Sequence, residues 1–485
     1  MHAILLAITL MAVQPAAGGD RAHGSAAGIT LAPAQPDGAA PVPTGGPAPR
    51  LPAPRAMSLQ EALEYSRAHQ PSLLAARARL SAVRADARVP GALYLPRVAI
   101  AAEGFAATAN NSTAAYLSAP GVDLPRIGAT RTGTSSWTPE PSTLAALGVR
   151  QEVFDFGRIG ALQALADAQL EAEQGRLDAA RLDLDLAVEN AYFGVAVTKR
   201  LRDAAAAASE RARANRDTAA AGVRAGLRPP VDLTRAEADL SRFEVARVDA
   251  EQNVVAAQAA FAAVVGVSDR TLDAATAQEP VIPPAPSLDA AIDQALQRDP
   301  LVRERAGSVA AQRAATRAIA AEIRPDLSLT ATLSGRAGGA ASTSGPAPAG
   351  DGLVPSVPNW DVGLLFTWPL FDGGVRARAE ASRAREAARQ LEVDEARQML
   401  GARVERVYVE YDAARQALPA LEKSLTAARD NYAQALARFQ AGLGTTLELA
   451  DAQSLLAEAD SAAAVGGFRL ATARARLGRA IAENL

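Results

Sequence analysis

The hydrophobic positions of this chain change period within each half, and in the same order. After Pro325, Leu327, Leu329, Ala331 and Leu333 alternate with Ser328, Thr330, Thr332 and Ser334, the period of two that marks a strand with one polar face. Further on, Trp360, Val362, Leu364, Phe366, Trp368 and Leu370 share one face, while Asp361, Gly363 and Thr367 take the other and Leu365 is the exception. In the first half Leu147, Val149 and Val153 alternate with Gly148, Arg150 and Glu152, and residues 97–109 alternate only weakly. The pattern predicts strands over about 97–109, 143–154, 326–337 and 359–371.

After each strand pair the period lengthens. Leu400, Val404, Val407, Tyr411, Ala414, Leu418, Leu421, Leu425, Ala428, Tyr432, Ala435 and Phe439 recur at alternating spacings of four and three, which is a coiled-coil seam. The matching helix of the first half keeps Leu184, Val188, Ala191 and Val195 but then admits Arg202 and Arg216, so its packing face is expected to drift. Ala225-Gly226-Leu227 and Ala441-Gly442-Leu443 read as tight turns, because Gly at C′ followed by a hydrophobic residue ends a helix in a Schellman motif. The result is two helical hairpins, 157–265 and 375–482, whose long arms each extend about 100 Å at 1.5 Å per residue. Pro419 falls inside the second long arm, where its ring and missing N–H are expected to kink or locally break the helix.

The two halves are copies of one plan. Ser58-Leu59, Pro71 and Pro96 correspond to Ser287-Leu288, Pro300 and Pro325 at one offset of 229, and the segment from Asn215 to Ala236 lines up with Asn431 to Ala452 at an offset of 216. Ser58-Leu59-Gln60-Glu61 is a capping box that opens the first helix. The first unit is placed at 57–280 and the second at 281–485; the period far exceeds that of solenoid repeats, so a large unit was duplicated.

The strands are about ten residues long, and each pair is joined by a long Gly/Ser/Thr/Pro loop, Asn110 to Ser142 and Gly338 to Pro358, as in outer-membrane barrels. Trp360 and Trp368 lie on one face about 26 Å apart, close to the spacing of two aromatic girdles. No run of about 18 apolar residues follows the N-terminal region, so contact with a membrane must be made by strands. Four strands cannot close a barrel, since the smallest such barrels have eight; self-association is required, and three copies would supply twelve.

Composition removes most chemistry. The chain has no Cys and 3 His, of which His2 and His23 precede any folded region and His69 reads as structural; thiol, Cys-rich metal and most triad chemistries are therefore excluded, and no cofactor or metal is expected. With 50 Lys+Arg against 53 Asp+Glu there is no basic stripe for phosphate backbones, so no nucleic-acid partner is expected. Residues 1–19 contain an apolar run, Ala3 to Val13, of signal-peptide length, although no Lys or Arg precedes it. Residues 20–56, rich in Pro, Ala and Gly, read as a disordered lead-in.

The duplicated unit, Leu95-Pro96, the Phe-Asp endings at Phe154-Asp155 and Phe371-Asp372, and the Ala-Gly-Leu turns in this order resemble the TolC-like outer-membrane factor family over roughly residues 57–482. The resemblance implies an α+β membrane protein: a homotrimer with a 12-stranded outer-membrane β-barrel and a periplasmic α-helical tunnel. It implies a passive conduit for efflux or type I secretion, engaged by a periplasmic adaptor and an inner-membrane pump, and no enzyme. Gly226, Leu227, Gly442 and Leu443 would form the adaptor-docking tips, and Trp360 and Trp368 the girdle against outer-membrane lipid. Glu448 and Asp451 would line an acidic ring at the periplasmic end, with Asp232 and Arg235 at the equivalent positions of the first unit and an Arg235–Asp451 bridge holding the tip closed. A local reading competes at Glu448, because Thr445-Thr446-Leu447-Glu448 is itself a capping box. The rival classes are a periplasmic adaptor, which has one hairpin, and a coiled-coil scaffold, which leaves Trp360 to Leu370 unexplained.

Overall fold

A computed structural model describes residues 56–108, 115–116, 126–127, 139–268, 272–275, 285–338 and 359–483. The expected signal peptide, nearly all of the lead-in and most of the two long loops lie outside the described residues. In chain order the elements are β1 (Ala56–Met57), α1 (Leu59–His69), α2 (Pro71–Asp86), α3 (Val89–Ala92), β2 (Arg97–Thr108), β3 (Ala115–Tyr116), β4 (Arg126–Ile127), β5 (Pro139–Phe154), α4 (Arg158–Arg224) and α5 (Pro230–Val265). They continue with β6 (Asp273–Ala274), α6 (Leu288–Arg298), α7 (Pro300–Ala321), β7 (Asp326–Gly338), β8 (Asn359–Thr367), α8 (Gly373–Gln440) and α9 (Thr446–Ala480).

The four long strands form one antiparallel sheet in the order β2-β5-β7-β8, so the hairpin of each half meets the other at β5–β7. Register carries the alternation across the whole sheet: Ile100, Leu147, Leu333 and Trp360 stand in one row, and Val98, Val149, Ala331 and Val362 in the next. The opposite face carries Arg97, Arg150, Thr330 and Gly363 in one row. The alternation in β5 does not hold to its end, because a bulge at Val153 skips one pairing and sets Phe154, not Val153, opposite Leu327. A bulge adds one residue to one strand and thereby reverses which side chains face which way.

The long helices α4 and α8 have 67 and 68 residues, about 100 Å each. Nearest the sheet, α7 packs between them; beyond the middle, α9 takes that place and α5 lies along α4. Close approach explains why small residues sit at these contacts: a Cβ on Gly307 would stand 3.1 Å from the Ala172 backbone N, and one on Gly175 3.0 Å from the Pro300 carbonyl oxygen. The 4-3 seam of α8 is buried or half-buried at every position from Leu400 to Phe439. In α4 the seam drifts to small residues: Ala208, Ala212 and Ala219 are buried while Arg202 and Arg216 are only half-buried.

Of the kink or local break expected at Pro419, the break does not occur: α8 runs helical through it. Pro419 lies on the exposed side, where the carbonyl one turn back that loses its N–H partner can bond to water.

Around the middle of the long helices lies a belt that periodicity did not reveal. β1 and β6 pair in parallel, with Met57 and Leu272 buried against Leu184, Val188, Tyr192 and Phe261. On the other half Ala291, Ala295, Leu400, Val404, Leu477 and Ile481 form a second cluster. Strands of two residues are too short to show a period.

Candidate functional site

The far ends of the two hairpins have the same construction. Gly226 and Gly442 both have φ +73, the left-handed conformation that glycine adopts without a Cβ penalty. Leu227 N–H donates to Gly222 O at 3.0 Å and Gly226 N–H to Val223 O at 3.0 Å; in the second turn Leu443 N–H donates to Arg438 O at 2.9 Å and Gly442 N–H to Phe439 O at 3.1 Å. These are Schellman caps. Such caps commonly bury the following hydrophobic residue against the helix, but here Leu227 is 82% and Leu443 75% exposed, so two bare leucines stand at the ends of the hairpins.

The four charged residues singled out near the tips are not brought together within one protomer. Glu448 Oε2 accepts from Thr445 N–H at 3.1 Å and Thr445 Oγ1 accepts from Glu448 N–H at 3.1 Å, a reciprocal capping box; Arg438 Nη2 lies 3.9 Å from its other oxygen. Asp451, one turn further, is exposed. Asp232 pairs with Arg228 at 3.6 Å. Arg235 is exposed, and among the described residues no ion pair joins it to Asp451.

Arg228 was not singled out by sequence reasoning. Its guanidinium carbon lies 3.7 Å from the centre of the Phe439 ring and its Nη2 donates to Phe439 O at 3.0 Å, a cation–π contact and a hydrogen bond from one hairpin turn to the other. Nothing in a linear pattern pairs residues 211 apart. The only local signals are its place directly after the exposed Leu227 and the position of Phe439 at the end of the seam.

At the opposite end, the sheet has one apolar face left exposed by the other described elements. Trp360 is 75% and Trp368 54% exposed, and Ile100, Val98, Val362, Leu364 and Phe366 are exposed with them. Phe366 stacks edge-on against Trp368 at 6.5 Å, and Phe154 against Phe156 at 4.7 Å, so aromatic rings gather where the sheet meets the helices. The other face is polar, with Thr332 Oγ1 donating to Asp361 Oδ1. Among the described residues, β2 and β8 are both unpaired along their outer edges.

Residues 62–267 and 291–483 match the family described as outer membrane efflux protein. The chain belongs to that family. Its members are transport conduits of the outer membrane and not enzymes, which sets aside the adaptor and scaffold readings. Among curated relatives, CyaE of Bordetella pertussis is 29% identical over 416 residues, covering 82% of this chain and 78% of CyaE. The fusaric acid resistance protein FusA of Burkholderia cepacia is 29% identical over 245 residues, 50% of this chain and 44% of FusA. Among solved structures the fold is similar to VceC of Vibrio cholerae, with TM-score 0.70, 21% identity and coverage of 87% of this chain and 95% of that one. It is likewise similar to CusC, with TM-score 0.71, 16% identity and coverage of 93% and 99%.

Proposed function

We propose that three copies of this outer membrane efflux protein close a twelve-stranded barrel in the outer membrane and continue as a helical tunnel through the periplasm. The conduit is passive, and an adaptor and an inner-membrane pump drive it within an efflux or type I secretion assembly. The observation that carries this reading is the four-stranded sheet with one apolar face and two open edges: lipid accepts the face, and only further strands can satisfy the edges. The outermost helices also support it, since α5 exposes Val245, Val248 and Val255 while α8 exposes Leu391, Met399 and Val409, apolar stripes suited to helices of neighbouring copies. In this reading Leu227 and Leu443 are the adaptor contacts. Asp451, with the capped Glu448 beside it, forms an acidic ring at the entrance.

Expression in an outer-membrane host should yield SDS-resistant trimers that sediment with outer membranes. A monomer in the soluble fraction would overturn the assembly. Trimers of a Leu227→Glu, Leu443→Glu variant should form but fail to transport; full transport by that variant would remove the docking role and leave the barrel standing.

A further inference from the structure

Among the described residues of the mid-length belt, three carboxylates gather around Arg67 and Arg474. Arg67 of α1 grips Asp185 of α4 through two hydrogen bonds of 2.8 and 2.6 Å. Arg474 of α9 grips Glu483 of the C-terminal turn through two of 2.7 and 2.8 Å. Glu189 stands one helical turn after Asp185, within electrostatic reach of both arginines and both carboxylates. Among the described residues its side chain has no hydrogen bond or ion pair of its own. Three carboxylates thus face two guanidiniums, each already held by a bidentate partner. The other groups around them are Glu64, beside Arg67 on α1, and Tyr411 of α8, beside Arg474; neither adds positive charge. Leu184, Val188, Tyr192 and Ala471 supply an apolar surround.

We infer that Glu189 is a proton-operated switch on this belt: protonated, it leaves the α1 and C-terminal clamps closed, and ionised, it loosens them. The proton lost at Glu189 leaves a third carboxylate beside Asp185 and Glu483. That charge repels both and competes for the arginines they hold. Burial, reinforced by the Asp185 charge, pushes the Glu189 carboxyl up to about 7, from an ordinary value of 4.5. Because the folded value is the higher one, the belt is fully stable below the ordinary value, loses stability as pH rises toward 7, and has lost this contribution above it.

Hydrogen exchange of the full chain in detergent, corrected for the intrinsic pH dependence of exchange, reads the switch in peptides 59–69 and 470–483. From the two values of the Glu189 carboxyl, protection in the wild type should fall about 30-fold between about pH 5.5 and about pH 8.5. Glu189→Gln should keep the acid level of protection at both. Glu483→Gln removes one of the carboxylates that repel an ionised Glu189, so the pH response of peptide 59–69 should shrink. A wild type without the response, or a Glu189→Gln variant that retains it, overturns the inference. If Glu189→Gln fails to fold, an unchanged response of peptide 59–69 in Glu483→Gln does so equally.

Discussion

At the tips, side chains that look equivalent in sequence have different work. Glu448 is held in a capping box, which accounts for a carboxylate at N3 without any pore, whereas Asp451 is exposed beyond the cap and has no such local reason. Asp451→Asn should therefore lower cation preference and multivalent-cation block in planar bilayers, while leaving thermal stability within about 0.5 kcal/mol; unchanged selectivity would remove the ring. Arg228 has the opposite character. Its stacking on Phe439 and its bond to the Phe439 carbonyl together contribute about 1–3 kcal/mol to holding the two turns side by side. Arg228→Ser should make the tips roughly tenfold more susceptible to limited proteolysis, and Arg228→Lys should restore little, since an ammonium lacks the planar stack. The glycine turns were legible because a positive φ demands a residue type; the Arg228 contact was not, because tertiary proximity leaves no period in the chain.

Among the elements, legibility followed length. The strand pair β7–β8 and the seam of α8 each repeat their period often enough to be read, and the residues that alternate in the chain occupy opposite faces of the sheet. The β5 alternation failed at the single bulge residue Val153, and the two-residue strands β1 and β6 had no period to read. At Pro419 the helix continues where a local break was one of the two expected outcomes. A proline removes one hydrogen bond and crowds one carbonyl, but in a helix held along a long seam the neighbouring turns are fixed by packing, and on the solvent side the orphaned carbonyl is hydrated. Pro419→Ala should accordingly stabilise the protein, by about 1–3 kcal/mol in thermal or denaturant unfolding. No gain would mean that the curvature proline imposes is itself required.

On the scale of the whole molecule, the proposed assembly sets the sheet and the hairpin tips in different solvents. Trp360 near the start of β8 and Trp368 just past its end are the proposed girdle, and single-Trp variants in bilayers should be quenched most by labels near the headgroups and least by labels at the midplane; midplane quenching of both would place the sheet differently. The open edges β2 and β8 also set an order of events. In hydrocarbon every unpaired backbone N–H or C=O costs several kcal/mol, and a strand edge of 9 or 12 residues carries many. One copy has two such edges, and two joined copies still have two. If the ring closes at three, neither smaller species can enter the bilayer in advance, so insertion waits on the last arrival and its rate should climb with the cube of the free protomer concentration.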